Sequence, residues 1–422
     1  MHSTVAVQDL KIGMFIRLDL GWMSHPFPLS SFRISSADQI ATLRGLGLDR
    51  VVWLPEKSDL PEEGRAEPVA LAPVAIDEAA LAAERRRAAV RAQRESLARC
   101  EAQYHEATQS LKQIGDLLNT APESAARQAE TLARAMLDKM LAADDLCIRL
   151  LTTHAGDRVT AHALNVTVIS MLMARALGLT ETELMDVGTG ALLHDIGKLD
   201  LPMRVHHPED GFSAAETKAY RDHVQLGLTR ARRMNLPTGA TLVLAQHHEL
   251  ADGSGFPARL KADAMSTPAR VVALVNRYDN LCNPGPRGIA LTPHEAVSTL
   301  FAQSRNKFDM AILSGFIRMM GVYPAGSLVQ LTDDRYAMVT QVNSSRPLKP
   351  SVLVHEPGVP RDEAVVLDLE TLPDLGIRRS LPLAKLPAAA ATFLAPKPRV
   401  TYYFDSLSAG SANAADEAGI GV

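Results

Sequence analysis

The stretch that decides the fold is Leu193-His194-Asp195-Ile196-Gly197-Lys198-Leu199, in which a histidine and an aspartate stand side by side at the end of an apolar segment. A second stretch reads Gln246-His247-His248-Glu249 and is followed shortly by Gly253-Ser254-Gly255-Phe256-Pro257. Neutral imidazoles beside carboxylate oxygens are typical ligands of a metal site. Because a carboxylate has two oxygens, Asp195 is the natural bridging ligand of a two-metal centre.

Histidine is concentrated around these two stretches. A lone histidine at a helix end is more often a capping or core residue than a metal ligand. Here the concentration favours ligands, and His162 and His223 are the further candidates. His206 and His207, in a loop beside Pro208, are interpreted as surface residues, and His154 as a structural one. Of the 13 histidines in the chain, those in this region are His154, His162, His194, His206, His207, His223, His247 and His248.

Composition excludes several classes of protein. The net charge of −4 argues against a general nucleic-acid binder. The three cysteines are irregularly spaced and predict reduced thiols, not a disulfide framework or a zinc ribbon. The N-terminus lacks the pattern of a signal peptide, and no apolar run approaches the ~20 residues of a membrane span. We therefore expect a soluble, cytoplasmic protein without a membrane span.

The first part of the chain is predicted to hold a small domain and long helices. Residues 1–70 form a predicted α+β accessory domain, with short alternating segments and a helix that begins after Ser36 as N-cap. Residues 71–143 are predicted to be a linker followed by long helices, because Ala, Arg, Glu, Gln and Leu dominate from Ile76 to about Leu118. This long helix carries a basic stripe that is interpreted as a solvated face or a partner surface.

The rest of the chain changes its periodicity once. Residues 144–324 repeat apolar residues at helical spacing and are predicted to form a helical domain, with almost no other structure from 124 to 322. After Tyr323-Pro324 the period changes to two, and residues 325–404 are predicted to be a β-rich appendage. Residues 405–422 are predicted to be a disordered tail. The predicted fold class is therefore mainly α, with an α+β unit and a β-rich appendage.

Several motifs in the helical part resemble the HD-GYP family of bacterial metal-dependent phosphohydrolases, whose members hydrolyse cyclic di-GMP. The resemblance covers roughly residues 150–323. The phrase Leu10-Lys11-Ile12-Gly13-Met14-Phe15-Ile16 also resembles the small N-terminal domain often joined to such units, and it assigns no chemistry. The helical motifs are Thr160-Ala161-His162-Ala163-Leu164-Asn165-Val166, the block around His194-Asp195, Arg221-Asp222-His223-Val224-Gln225-Leu226-Gly227, the block from Gln246 to Pro257, and the closing segments Lys307-Phe308-Asp309 and Gly321-Val322-Tyr323-Pro324.

The resemblance implies a phosphodiesterase site with two divalent metal ions, for which iron or manganese suits the mixed ligands. Lys198 would stabilise phosphoryl charge or protonate the departing sugar oxygen. The substrate cyclic di-GMP would contact Gly253, Gly255, Phe256 and Arg287, and the product would be the linear dinucleotide or GMP. The implied metal ligands are His162, His194, Asp195, His223, His247 and His248, with Asn276 as a seventh position.

The chain departs from the family pattern at several positions. The usual D-x-x-D segment reads Asn276-Arg277-Tyr278-Asp279, so a neutral amide replaces the first carboxylate and should bind a metal more weakly. The usual R-P-Y-R-like run is missing, and only Arg287 or Arg277 could partly replace it. Arg158 stands where trinuclear members have Glu, so at most two metals are expected. Phe256 stands where Tyr is usual and keeps the ring without the hydroxyl.

Two further readings stay open at this point. The chain could be a degenerate member that binds cyclic di-GMP or a protein without turnover, which the replacement at Asn276 favours. It could also be an HD hydrolase for another nucleotide. Asn276 itself is either a ligand or a helix residue hydrogen-bonded to its neighbours. A protein partner for the N-terminal unit or for the long basic helix, and a homodimer, are also left open.

Overall fold

The structure is a computed structural model that describes residues 3–20, 25–27, 29–59, 78–143, 145–152, 157–208, 211–343, 346–397 and 399–406. These residues fall into two compact units, Met1–Ala83 and Glu84–Val422. His154, the start of the linker predicted from residue 71 and most of the predicted tail lie outside the described residues.

The first unit is a four-stranded antiparallel sheet with one helix, α1 (Ala37–Gly45). Ser36 caps α1, since its hydroxyl accepts a hydrogen bond from the Gln39 amide at 3.3 Å. Ile16, Ile34 and Leu43 are fully buried in the core. The α+β prediction for this unit is therefore confirmed. The strands, in the spatial order β1-β4-β2-β3, are β1 (Ser3–Ala6), β2 (Phe15–Arg17), β3 (Ser31–Arg33) and β4 (Arg50–Trp53).

The second unit is mainly helical, as predicted. Several of its helices begin at side-chain caps: Asp157, Thr180, Ser213 and Ser266 each accept a hydrogen bond from the backbone amide three residues later. The helices are α2 (Glu78–Leu117), α3 (Pro122–Leu141), α4 (Arg158–Ala176), α5 (Glu181–Leu193), α6 (Ala214–Met234), α7 (Thr238–Gln246), α8 (Thr267–Cys282), α9 (Pro293–Ser304), α10 (Met310–Met320) and α11 (Ala388–Leu394).

The second unit also contains a seven-stranded antiparallel sheet. Its order is β10-β6-β7-β5-β11, with β8 paired to β7 and β9 paired to β8. Strand β5 lies in a segment that the sequence predicts to be almost wholly helical, so that prediction is wrong there. β11 includes Asp405 and Ser406, so a disordered tail from 405 is also wrong at its start. The strands are β5 (Leu146–Leu150), β6 (Leu328–Leu331), β7 (Tyr336–Asn343), β8 (Ser351–Val354), β9 (Val366–Asp368), β10 (Ile377–Ser380) and β11 (Tyr402–Ser406).

Helix α4 is the central helix of this unit. Within the described part of the chain it is the one helix long and apolar enough, by length and composition, to cross a membrane. Most of α4 is nevertheless buried inside the protein, where it packs against α5 and α8. A core position therefore accounts for its apolar sequence.

The basic stripe of α2 is partly neutralised by the chain itself. Arg86 donates to the Glu356 carboxylate at 2.7 Å, and Arg94 bonds the Asp362 carbonyl. Gln93 exchanges two hydrogen bonds with the backbone of Val366, at 2.8 and 3.0 Å. These contacts fix α2 to the β-rich part of the same unit.

Candidate metal centre

The pair His194-Asp195 lies where a helix ends. Helix α5 stops at Leu193, His194 keeps helical backbone angles, and Asp195 leaves them, with φ −100° and ψ 9°. This change of direction lets two adjacent side chains face one site, which a continuous helix would hinder. The next residues, Ile196–Asp200, form a 3₁₀ turn.

One set of ligand atoms comes from His162, His194 and Asp195. The Nε2 atoms of His162 and His194 are 3.1 Å apart. Asp195 Oδ2 lies 3.6 Å from the first of these nitrogens and 3.4 Å from the second. The three side chains reach one point from α4 and from the end of α5.

A second set comes from Asp195, His223, His247 and His248, whose ligand atoms lie within 4.8 Å of one another. The Nε2 atoms of His223 and His247 are 3.2 Å apart. The other oxygen of the aspartate, Oδ1, lies 3.6 Å from His223 Nε2 and 3.8 Å from His247 Nε2. Asp195 therefore belongs to both sets and offers one oxygen to each.

Hydrogen bonds fix which nitrogen of four of the five imidazoles faces the site. Nδ1 of His194 donates to the Ala191 carbonyl at 2.7 Å, and Nδ1 of His247 donates to the Leu244 carbonyl at 2.8 Å. A carbonyl can only accept, so in the neutral ring the proton is on Nδ1 and Nε2 carries a lone pair. The Nδ1 atoms of His223 and His162 face the Tyr220 carbonyl and the Asp279 carboxylate in the same way.

The protonation states suit a metal. Burial lowers the pKa of His223 to about 4, and it holds the pKa values of His247 and His248 well below the usual range. Burial alone would raise the pKa of Asp195, but Lys198 and the neighbouring histidines outweigh it, so the pKa lies well below its ordinary value. Neutral imidazoles and an ionised carboxylate are the forms that bind metals.

Two observations test whether a cation fits here. Pairs of bare Nε2 atoms 3.1 and 3.2 Å apart repel each other unless a positive charge lies between them. Asp195 Oδ1 is buried and has no hydrogen-bond partner among the described residues. A buried polar atom of this kind is costly without a partner. The residues present therefore fit divalent cations.

Lys198 lies beside the shared carboxylate. Its Nζ donates to Asp195 Oδ2 at 2.6 Å and lies 5.4 Å from the centre of the Tyr220 ring. Its side chain is only 14 % exposed. The sequence predicts an ammonium that faces the substrate phosphate, and the structure places it at the edge of the two sets of ligand atoms.

Asn276 is buried on α8, and its side chain has a partner of its own. The Asn280 amide donates to Asn276 Oδ1 at 2.7 Å and to the Asn276 carbonyl at 2.8 Å. This bond corresponds to the second interpretation above, in which Asn276 is bonded to helix neighbours. The role of Asn276 as a ligand stays a prediction.

The segment from Glu249 to Pro257 forms a loop held by its own backbone. A side chain at Gly255 would place its first carbon 2.5 Å from the Leu250 amide nitrogen, so only glycine fits this close approach. The buried Glu249 carboxylate accepts from the amides of Ala258 and Leu260 at 2.6 and 2.9 Å. Gly255 thus serves the packing of the loop, and Glu249 closes it.

Two predicted substrate contacts lie differently relative to the centre. The Phe256 ring stacks on His248 with centroids 4.5 Å apart, and the Arg221 guanidinium lies 5.2 Å from the Phe256 ring. Gly253, with φ +79°, turns the loop before it. Arg287 is exposed in the loop after α8. Its substrate role, like those of the two glycines, stays a prediction.

Two residues near the centre have contacts that the sequence analysis did not foresee: His207, interpreted there as a surface residue, and Arg158, which stands where trinuclear members have Glu. His207 is half-buried and packs on Gly285, and burial together with the charges of Lys198 and Arg158 lowers its pKa to about 4. Arg158 donates to the carbonyl of Pro284, 126 residues away. Contacts between residues so far apart leave no signal in a single sequence.

Comparisons with known proteins agree with this geometry. Residues 145–312 match the family model of the HD domain, and residues 2–131 match a domain of unknown function, DUF3391. The chain is 27% identical over 366 residues to the cyclic di-GMP phosphodiesterase PA4108 of Pseudomonas aeruginosa, covering 84% of this chain and 85% of that protein.

Two other relatives match a shorter part. The cyclic di-GMP phosphodiesterase response regulator RpfG of Xanthomonas campestris is 31% identical over 36% of this chain and 40% of its own length. The 3'3'-cGAMP-specific phosphodiesterase 2 of Vibrio cholerae is 33% identical over 35% of this chain and 29% of its own length. The chain thus spans less than half of these two relatives.

Proposed function

We propose that the chain is a metal-dependent phosphodiesterase that hydrolyses cyclic di-GMP, on the premise that residues 145–312 match the model of the HD domain family. The main support for the proposal is that Asp195 belongs to both sets of ligand atoms. One of its oxygens faces His162 and His194, and the other faces His223 and His247. Such a donor set suits a pair of divalent cations.

The chain's own residues would hold the cations and the phosphate. Five histidines and Asp195 supply imidazole nitrogens and carboxylate oxygens, for which iron or manganese is suited. Bound divalent cations supply charge neutralisation at phosphorus and activation of water. The Nδ1 bonds of the histidines hold their rings before any metal arrives, so little reorganisation is needed.

Lys198 would act on the substrate. Its ammonium is anchored by Asp195 at 2.6 Å and is largely shielded from solvent. From this position it would stabilise negative charge on the phosphoryl oxygens or protonate the departing sugar oxygen. Phe256, stacked on His248, would offer an apolar face beside the cations.

The test is metal content and turnover measured on the same preparation. We expect elemental analysis to find bound metal, and we expect chromatography to show linear dinucleotide or GMP formed from cyclic di-GMP in added Mn²⁺ or Fe²⁺. An Asp195→Asn protein purified in parallel controls for contaminating phosphodiesterases. Cyclic GMP-AMP serves as the competing substrate, because one relative is specific for it.

A second function is favoured by one observation. Asn276 is neutral and its side-chain oxygen already accepts a bond from Asn280 at 2.7 Å. A centre short of one anionic ligand would bind a metal more weakly, and the chain would then bind the dinucleotide without hydrolysing it. Bound metal and measurable dinucleotide affinity without product in any added metal would establish this binding function and reject the enzyme.

A further inference from the structure

Two asparagines connect the metal centre to a strand far along the chain. Asp279 is fully buried on α8, and its Oδ2 accepts from His162 Nδ1 at 2.6 Å. Its other oxygen, Oδ1, accepts from Asn165 Nδ2 at 2.7 Å and from Asn283 Nδ2 at 2.9 Å. Asp279 therefore orients one of the metal-facing histidines, and the two amides orient Asp279.

Each amide continues to the backbone between residues 400 and 402. The Nδ2 groups of Asn165 and Asn283 both donate to the Val400 carbonyl at 2.9 Å. In return, Asn165 Oδ1 accepts from the Tyr402 amide at 2.8 Å, and Asn283 Oδ1 accepts from the Val400 amide at 2.9 Å. The two side chains thus use all of their donors, and each amide bonds both the Asp279 carboxylate and the backbone of residues 400–402.

Strand β11 and the residues just before it are also held by contacts that do not involve the two asparagines. β11 pairs with β5 in antiparallel register, and Asp405 forms a buried ion pair with Arg149 at 3.0 Å. The hydroxyl of Tyr402 donates to the Ala325 carbonyl at 3.1 Å. These contacts anchor the segment 400–402, and the anchored segment in turn holds the two amides.

We propose that Asn165 and Asn283 are positioning residues and that the segment 400–402 is a working part of the metal centre. The inference rests on the metal centre of the proposed function. The two asparagines lie within the matched HD domain, which ends at residue 312, whereas the segment 400–402 that they bond lies outside it. The asparagines act through Asp279, which holds the proton of His162 on Nδ1 and its lone pair toward the cation.

Metal affinity of the full chain tests the proposal without any substrate. Isothermal titration with Mn²⁺ should show a loss of about 10–100-fold in Asn165→Ala and in Asn283→Ala, the range for residues that orient a metal ligand. The matched control is Thr167→Val, because Thr167 is equally buried on α4 but donates only to the Ala163 carbonyl at 2.7 Å. It should lose stability and keep its Mn²⁺ affinity.

The Asn165→Asp variant distinguishes a positioning role of Asn165, which needs its hydrogen-bond donors, from a packing role, which needs only its size. It keeps the shape of the side chain but replaces the donor with an acceptor that faces Asp279 Oδ1 and the Val400 carbonyl. We expect the affinity of Asn165→Asp for Mn²⁺ to be equal to or lower than that of Asn165→Ala. We also expect the visible spectrum of Co²⁺ bound to Asn165→Asp to differ from that of Co²⁺ bound to the wild type. Affinity close to wild type in Asn165→Asp would overturn the positioning role.

The outcomes separate this inference from the proposed function. If Thr167→Val and the two alanine variants have the same Mn²⁺ affinity, the asparagines are structural residues and do not position a metal ligand. Should Asn165→Ala fail to fold, the half-buried Asn283 decides alone. A wild-type chain that binds Mn²⁺ without turnover removes the enzyme and leaves the inference standing, whereas a chain that binds no Mn²⁺ overturns both.

Discussion

Replacement of Gly197 by alanine should damage the metal centre through a backbone contact. Gly197 lies in the turn after Asp195 and packs against helix α6. A Cβ at this position would lie 2.5 Å from the Gly227 amide nitrogen and 2.8 Å from the carbonyl carbon of His223, and closer still to the His223 carbonyl oxygen. Real Cβ atoms do not approach backbone atoms within 3.0 Å, so the two segments must separate by more than 0.5 Å.

Both sides of this contact carry predicted ligands. If the turn moves, Asp195 moves with it; if α6 moves, His223 moves. Because metal–ligand distances tolerate only about ±0.2 Å, a shift of this size should cost tenfold or more in Mn²⁺ affinity, or about 1.4 kcal/mol. Overpacking should also lower the free energy of unfolding of the metal-free protein by about 1–3 kcal/mol.

The assay is Mn²⁺ titration of the folded variant, with thermal unfolding in chelator to measure stability separately. Gly227→Ala is the matched control, since a Cβ there meets nothing nearer than 3.6 Å. Within helix α6 it should add up to about 1 kcal/mol of stability and leave the affinity unchanged. Wild-type affinity in Gly197→Ala would refute the assignment of Asp195 and His223 to one centre.

Three other substitutions test single roles. Asp195→Ala should release both metals, because each set of ligand atoms loses its carboxylate; unchanged metal content would end the two-metal interpretation. Asn276→Asp should raise metal occupancy and turnover by restoring an anionic ligand. The control is Asn280→Asp, which adds the same charge one turn further along the helix and should have a smaller effect. Equal effects of the two substitutions would mean that Asn276 is not a ligand. Lys198→Ala should keep its metal but lose turnover by roughly 10²–10⁴-fold. Full activity in this variant would exclude a catalytic role for Lys198.

The fold was predictable where the signal is local. Ser36 caps the helix that it was expected to cap, since a cap depends on residues within one turn. Strand β5 was missed because its five residues are a short apolar run between two helical segments, and such a run fits either structure. Its pairing partners, β7 and β11, come about 190 and 250 residues later, so nothing nearby marks it as a strand.

The site divides in the same way. The six predicted ligands come together in space. They could be predicted because histidine clusters of this density are visible in the sequence itself. The support of the ligands was not visible. Asp279 remains in the D-x-x-D segment without an assigned role, and its link to His162 spans 117 residues. No role was assigned to the side-chain amides of Asn165 and Asn283, because the backbone of Val400, which both bond, lies 235 and 117 residues away.

The bond between Asn283 and the backbone of Val400 also has a consequence for synthesis on the ribosome. All six predicted ligands and Asp279 emerge before Val400, which follows Asn283 by 117 residues. At roughly 5–20 residues per second, translation of this interval takes on the order of 6–23 s. During that time the edge of β5 waits unpaired for β11, and His162 lacks its oriented carboxylate. Metal loading of the nascent chain should therefore be weak until residues 400–402 have been made, so that cofactor capture comes well after the last predicted ligand.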